Sequence, residues 1–115
     1  MKRFGSHLLG IDEGEVLLFT HYEGNGPMWA KQGERLVRQR VAFSEPFWEI
    51  PTVIIGIAML DIHKDTNLRV DARAENIDQR GFDAVLSTWG DTRVAQARLS
   101  WTAFGELKHE EDWQL

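Results

Sequence analysis

The chain has no cysteine, no long apolar run and no excess of positive charge. Without cysteine, a disulfide scaffold, a thiolate zinc site and a cysteine nucleophile are excluded. Eighteen acidic residues against 13 basic ones leave a formal charge of −5. That balance speaks against nucleic acid as a partner, because phosphate binding needs a net basic face. No stretch approaches the roughly 18 apolar residues of a membrane span, so none is expected. Behind Met1, Lys2 and Arg3, no unbroken apolar stretch of about 7–15 residues marks a secretory leader. Leu8-Leu9-Gly10-Ile11 is short and is cut by Asp12. The chain reads as leaderless, which points to the cytoplasm or to export or release by a route that needs no leader. At 115 residues there is room for one core, but not for a cofactor domain plus a substrate domain.

What is present in excess is tryptophan, with five residues against one tyrosine. So many large amphipathic side chains in a short chain call for a core, an interface or a ligand platform.

The helical period fails along most of the chain and the period of two succeeds. In Val37 to Phe43, apolar Val37, Val41 and Phe43 share one face and Arg38 and Arg40 the other, which predicts a half-buried strand with a wet basic face. Thr52 to Leu60 is apolar on both faces, as expected of a strand covered on both sides by a sheet core or by an oligomer. Arg69 to Ile77, Phe82 to Trp89, Val94 to Ala103 and Val16 to Thr20 supply further strands. Glu23-Gly24-Asn25-Gly26-Pro27 is the strongest break, and Ser44-Glu45-Pro46, Asp65-Thr66-Asn67, Gln79-Arg80-Gly81 and Gly90-Asp91-Thr92 are turns. About six strands at this spacing predict an all-β antiparallel sandwich. Residues 1–30 read as a strand and loop extension packing on a sandwich of residues 31–105, and 106–115 as an acidic tail with Trp113 as a latch.

Motifs for chemistry are sparse. None of His7, His21, His63 and His109 stands two or four residues from another, so local spacing sets no metal-binding pair. Asp61, His63 and Asp65 alternate on one side of an extended segment. They lack the glycine and the late bidentate glutamate of a calcium loop, and read as a polar strand end and turn. None of Ser6, Ser44, Ser87 and Ser100 sits in a G-x-S-x-G elbow, and no motif singles out a catalytic pair of carboxylates. No enzyme, metal or cofactor is expected. Ser87-Thr88-Trp89-Gly90-Asp91-Thr92-Arg93 is more informative. A tryptophan at a strand end beside a polar turn offers one face to the C–H patch of a sugar ring, with arginine, aspartate and backbone groups for its hydroxyls. The same tryptophan also serves simply to cap the end of a sandwich.

Taken in order, Val41-x-Phe43, Pro51-Thr52-Val53-Ile54-Ile55, Leu60-Asp61, Asn67-Leu68-Arg69-Val70-x-Ala72-Arg73, Gly81-Phe82, Thr88-Trp89-x-x-Thr92-x-Val94 and Ser100-Trp101 form a series. It resembles the H-type lectin domain, of the snail agglutinin and discoidin C-terminal type, over roughly Arg35 to Phe104. The resemblance implies a six-stranded antiparallel sandwich that assembles as a homotrimer, sometimes as stacked trimers. It implies metal-independent binding of terminal N-acetylgalactosamine or galactose in clefts between protomers, and so glycans and copies of itself as partners. It places Arg69 and Trp89 in the sugar site, with Gly90, Asp91 and Glu34 as further candidates. The chain departs from the family where a histidine becomes Gly90 and a tyrosine becomes Ala95. It departs also in the earlier loop, where a shorter segment leaves Gln32, Gly33 and Glu34 as the local residues. The family's disulfide cysteines are absent, and Trp48 and Leu86 stand near their places, so Trp48 is expected to fill that volume. Trp101 is expected in the core or at an interface. Two function readings follow: a carbohydrate-binding lectin, and an oligomeric adhesion or particle-surface module of the same fold with a degenerate sugar site.

Overall fold

A computed structural model describes residues 1–5, 8–20 and 26–108. Readings placed on Ser6, His7, His21, the Glu23-Gly24-Asn25 part of the first turn, and the tail from His109 through Trp113 lie outside the described residues. The elements are β1 (Leu9–Thr20), a one-turn helix α1 (Pro27–Ala30), β2 (Arg35–Ala42), β3 (Thr52–Ile62), β4 (Val70–Glu75), β5 (Gly81–Thr88) and β6 (Val94–Glu106). They form two antiparallel three-stranded sheets, ordered β1-β6-β3 and β2-β5-β4. This is the all-β, six-stranded antiparallel architecture that the alternation of the sequence predicts.

Tertiary pairing moves three of the sequence expectations. The first strand starts at Leu9 rather than Val16, because β6 is long enough to pair with it from Glu106 opposite Leu9 to Gln96 opposite Thr20. Ladder hydrogen bonds come from the backbone, so Gly10, Asp12 and Gly14 do not interrupt them.

The second concerns β3, which is an edge strand and is not covered on both sides within one protomer. Ile57 faces Leu99 and Met59 faces Arg98, so Ala58 is the extra residue of a bulge. The bulge reverses the phase: Val53 and Ile55 pack on the core before it, Leu60 and Ile62 after it. An apolar run that looks two-sided in sequence is therefore largely one-sided in space. Ile54 still keeps its side chain outside, 56% exposed.

Third, Arg38 and Arg40 do not make a basic face. The register sets Arg40 opposite Asp83, and Asp83 opposite Glu75 on the other side of β5. Arg38 bonds Glu75 at 3.0 Å and Asp83 at 3.2 Å, and Arg40 reaches Asp83 at 3.3 Å and Asp78 at 2.5 Å. On β4, Arg73 is held between Asp71 and Glu75, at 2.6 Å from each. The outer face of this sheet is a neutralised lattice of charges.

Several carboxyls of this lattice sit below the usual carboxylate range. Hydrogen bonds from Arg73 and then Arg38 lower Glu75, the backbone N–H of Arg80 lowers Asp78, and the Asn76 side chain followed by the two arginines lowers Asp83. A carboxyl whose folded pKa is depressed stabilises the fold above its unfolded value of about 4, and that contribution is lost as pH falls through the folded pKa. Thermal melts are expected to be flat between about pH 7 and 5 and to fall progressively below about pH 4. Added salt should blunt the part that comes from Asp78, whose carboxyl is exposed, more than the part from buried Asp83.

The core lies between the sheets, lined by Phe82, Leu86, Val94 and Leu99, with Phe43, Phe47 and Trp101 at one end. The Phe82 and Trp101 rings meet at 5.4 Å, close to edge-on, and the Phe43 ring lies 5.8 Å and 5.9 Å from theirs. Trp101 is thus a core residue. Gly14, its partner on β1, has no Cβ because one there would stand 3.0 Å from the indole. Trp48 does not fill core volume as expected. It stands exposed on a loop, with the Lys108 ammonium 5.1 Å from its ring centre, and Phe43 and Phe47 occupy the interior instead.

Candidate functional site

At the end of the sandwich opposite the aromatic cluster, the chain leaves β5 through Thr88-Trp89 and turns at Gly90-Asp91-Thr92 into β6. Gly90 has φ +69°, a left-handed conformation that glycine adopts without strain. Two buried hydroxyls order the neighbouring segment before β4. Thr92 Oγ1 accepts the Arg69 N–H at 3.0 Å and donates to the Asn67 carbonyl at 2.6 Å, while Thr88 Oγ1 donates to the Arg69 carbonyl. The two threonines of the Thr-Trp-x-x-Thr series therefore fix the backbone of Arg69 at both ends.

The sequence-picked residues fall into two linked groups. Arg69 Nη1 donates to Asp91 Oδ1 at 3.3 Å, and the Asn67 amide donates to both oxygens of the same carboxylate, at 3.2 and 3.3 Å. The Asn67 amide, with Arg69 behind it, holds the Asp91 carboxyl below the usual range, so Asp91 is ionised at neutral pH. Arg69 lies over Gly90: a Cβ there would stand 3.5 Å from Nη1, within ordinary contact. Trp89, next in the chain, keeps its indole 42% exposed. It joins Glu34 in lining a cavity of about 450 Å³ that Arg69 does not line. Arg69, Gly90 and Asp91 are thus brought together on one side, and Trp89 and Glu34 on the other, with the peptide between Trp89 and Gly90 joining them.

Arg35 ties these groups, and sequence reasoning missed it. Its guanidinium is buried and donates to the carbonyls of Gly33 at 2.9 Å, Gly90 at 3.0 Å and Lys31, while the Gly33 N–H bonds the Gly90 carbonyl at 3.0 Å. The segment carrying Gln32, Gly33 and Glu34 is so clamped to the turn that follows Trp89. Burial pushes the Arg35 guanidinium below its ordinary pKa, and the carbonyl dipoles stand in for a carboxylate. A signal existed: Arg35 has the parity of inward-facing Val37 and Val41. Arg35→Met keeps the stem and removes every donor. It is expected to cost about 2–4 kcal/mol in denaturant unfolding, by stranding buried carbonyls, and to weaken sugar binding together with stability.

The remaining candidates have structural partners. Asp61 accepts from the Gln96 amide at 3.2 Å, and His63 Nδ1 accepts the Asp65 N–H at 3.1 Å. The His63 ring also stands 5.5 Å from that of Trp29 on α1, which leaves Trp29 half-buried at this end of the molecule. Ala95 is fully buried and presents nothing to a ligand.

Comparison with known proteins agrees with this geometry. The H-type lectin domain family matches residues 38–104, more than half the chain. A protein of Fuscovulum blasticum named ATP synthase subunits region ORF 7 is 42% identical over 115 residues, covering all of this chain and 99% of that one. Discoidin-2 of Dictyostelium discoideum is 33% identical over 94 residues, 81% of this chain but 35% of its own length. The solved structure of wild-type discoidin II from the same organism superposes with a TM-score of 0.77 at 26% identity, over 92% of this chain and 39% of that one. The chain spans little more than a third of the length of discoidin II. With that domain matched over most of the two sheets, and the Arg69 and Trp89 framework held by the threonines of its motif, the chain belongs to the H-type lectin domain family.

Proposed function

We propose that the chain is a carbohydrate-binding lectin that needs no metal, recognises terminal galactose- or N-acetylgalactosamine-type sugars, and carries its sites at the protomer interfaces of a trimer. The observation that carries this reading is the half-exposed Trp89 indole, next in the chain to a glycine turn topped by the Arg69–Asp91 pair. A galactose-type ring offers an apolar face of C–H groups that stacks on an indole. Its neighbouring hydroxyls each donate and accept, which suits a guanidinium and a carboxylate held together. Glu34 adds a second acceptor beside Trp89. The chemistry is binding, not catalysis.

The exposed apolar side chains support self-association. Leu9, Ile11 and Leu17 on β1 and Ile54 on β3 project from the outer face of the β1-β6-β3 sheet, with Ile11 67% exposed. Apolar side chains exposed in this way, around Glu13 and the Glu15–Arg98 ion pair, favour contact between chains. Several weak sites on one rigid trimer act together on a multivalent glycan surface.

The second reading, an oligomeric adhesion or particle-surface module with a degenerate sugar site, draws on Gly90 and Ala95, which offer no side-chain hydrogen bond where the family carries histidine and tyrosine. One experiment separates them: a glycan array on the intact protein, with its mass measured by light scattering. The lectin reading expects galactose- or N-acetylgalactosamine-terminated glycans among the bound spots and the mass of a trimer. Silence toward such sugars at millimolar concentration would leave the interaction module, and a clean monomer at micromolar concentration would remove the shared site.

A further inference from the structure

We propose that the cavity at the aromatic end of the sandwich binds an acidic sugar residue, a ring carrying one carboxylate, in a site separate from the Trp89 turn. The proposal goes beyond the lectin reading and does not rest on it, because the two sites share no residue. The cavity measures about 320 Å³ and is lined by Pro46, Phe47, Trp48, Gln79, Arg80 and Lys108. That is the low end of the range for small-ligand sites, roughly 300–1,000 Å³, and suits a single ring. Arg80 precedes β5 and Trp89 follows it, so the two sites stand roughly 25–30 Å apart at the rise of an extended strand.

Backbone bonds fix the walls before any ligand arrives. The Phe43 N–H donates to the Arg80 carbonyl and the Phe47 N–H to that of Gln79, each at 2.9 Å, and the Trp48 N–H donates to the Glu106 carbonyl at 2.8 Å. The Gln79 side-chain amide donates to the Trp48 carbonyl at 2.6 Å. Asp78 Oδ1 accepts the N–H groups of Arg80 and Gly81 at 2.8 and 2.9 Å, which sets the turn that carries Arg80. A loop and a turn held in this way lose little freedom on binding.

Charge chooses the ligand. The lining carries two cations and no acid, on a chain whose formal charge is −5. Nearby carboxylates are engaged elsewhere. Asp78 pairs with Arg40, Glu106 accepts the Gly5 N–H, Glu49 lines a cavity with Lys2 and Arg3, and Glu45 lines one with Asp12. The exposed Arg80 guanidinium offers a fork for both oxygens of one carboxylate, and the Lys108 ammonium, 5.1 Å from the Trp48 ring centre, adds a point charge. Trp48, 41% exposed, and Pro46 give apolar wall for the C–H groups of a ring. The Gln79 amide oxygen takes no part in the bond to Trp48 and can accept a hydroxyl. A neutral sugar would leave both cations without an anion, and a bare anion would leave the indole uncovered.

The test is calorimetry at low salt on the intact protein with glucuronate, glucose and acetate. Glucuronate is expected to bind at least about tenfold tighter than either of the others, the worth of one charge-assisted contact. Its affinity should fall as salt is raised from about 0.01 to 0.2 M. Arg80→Gln, Lys108→Gln and Trp48→Ala should each weaken glucuronate about tenfold. Arg80→Gln should leave the thermal midpoint and any binding of galactose unchanged, and Trp89→Ala should bind glucuronate as the parent does. Equal affinity for glucuronate and glucose overturns the proposal. So does acetate bound as tightly as glucuronate, which would make this a site for any carboxylate. Glucuronate binding that survives Arg80→Gln and Lys108→Gln together, or that is lost in Trp89→Ala, places the acid elsewhere and overturns it as well. A chain that binds glucuronate but no galactose keeps this site and loses the lectin reading, and one that binds galactose but not glucuronate does the reverse.

Discussion

Trp89→Ala is expected to abolish measurable sugar binding while leaving the fold in place. An aromatic anchor at the centre of a binding site is worth about 2 kcal/mol or more when truncated, some thirtyfold in affinity. For a weak monovalent site that loss passes out of the measurable range. The indole is 42% exposed and is absent from the buried core, so the cost to stability is small. The thermal midpoint is expected to move by no more than about 5 °C, the equivalent of about 1 kcal/mol in a chain of this size. Trp89→Phe, which keeps an aromatic face of smaller area, should retain part of the affinity. The result that counts against this placement is an alanine variant with parental affinity and a collapsed melting temperature. Trp89 would then cap the sandwich end and nothing more.

Phe82→Ala is expected to do the converse. Phe82 is fully buried on the central strand β5 and packs with Phe43 and Trp101. Truncation removes its contacts and leaves a cavity between two sheets that cannot close independently, at about 3–5 kcal/mol. That is a large share of the roughly 5–15 kcal/mol by which a domain of this kind is stable. Denaturant unfolding should show the midpoint falling with little change in slope, and affinity for sugar measured well below the new midpoint should be unchanged. The two residues occupy opposite ends of β5, about 20 Å apart at the rise of an extended strand. At that separation the effects of Trp89→Ala and Phe82→Ala on stability should add. A loss smaller than about 1.5 kcal/mol would mean that the aromatic cluster around Phe43, Phe47 and Trp101 refills the space.

Arg35 lies between these extremes, since it touches both properties through one side chain. Its guanidinium joins three carbonyls from two separate segments, so its loss should lower stability and affinity together. The three substitutions thus separate a ligand platform, a core residue and a clamp.

How much of this was legible beforehand depends on the range of the interaction that sets each feature. Alternation of apolar and polar residues is local, and it located all six strands, with Trp101 expected in the core or at an interface and found in the core. The ordered series around Arg69, Trp89 and Trp101 was enough to name the family. It also picked out Arg69 and Asp91, which do meet. Features set by partners far along the chain were misread. Arg38 and Arg40 looked like a basic face because the acids that neutralise them, Asp83, Glu75 and Asp78, arrive from later strands. The Thr52 to Leu60 run looked two-sided because a bulge is invisible to a count of alternation. Trp48 was assigned a buried volume that Phe43 and Phe47 fill, because volume is shared by residues that only packing brings together.

By itself, then, the sequence determined the all-β class, the single core, the exclusion of thiol chemistry and the residues of the turn around Trp89. Each rests on composition or on neighbours a few positions apart. Only the tertiary structure decided that Glu34 and Trp89 share a cavity, that Thr88 and Thr92 hold Arg69 from both sides, and that a buried arginine joins the 31–35 segment to the Gly90 turn. The contact from Arg35 to Gly90 spans 55 positions. Its existence depends on the register of β2 against β5, in which a shift of one residue would turn Arg35 out to solvent and leave those carbonyls without a donor.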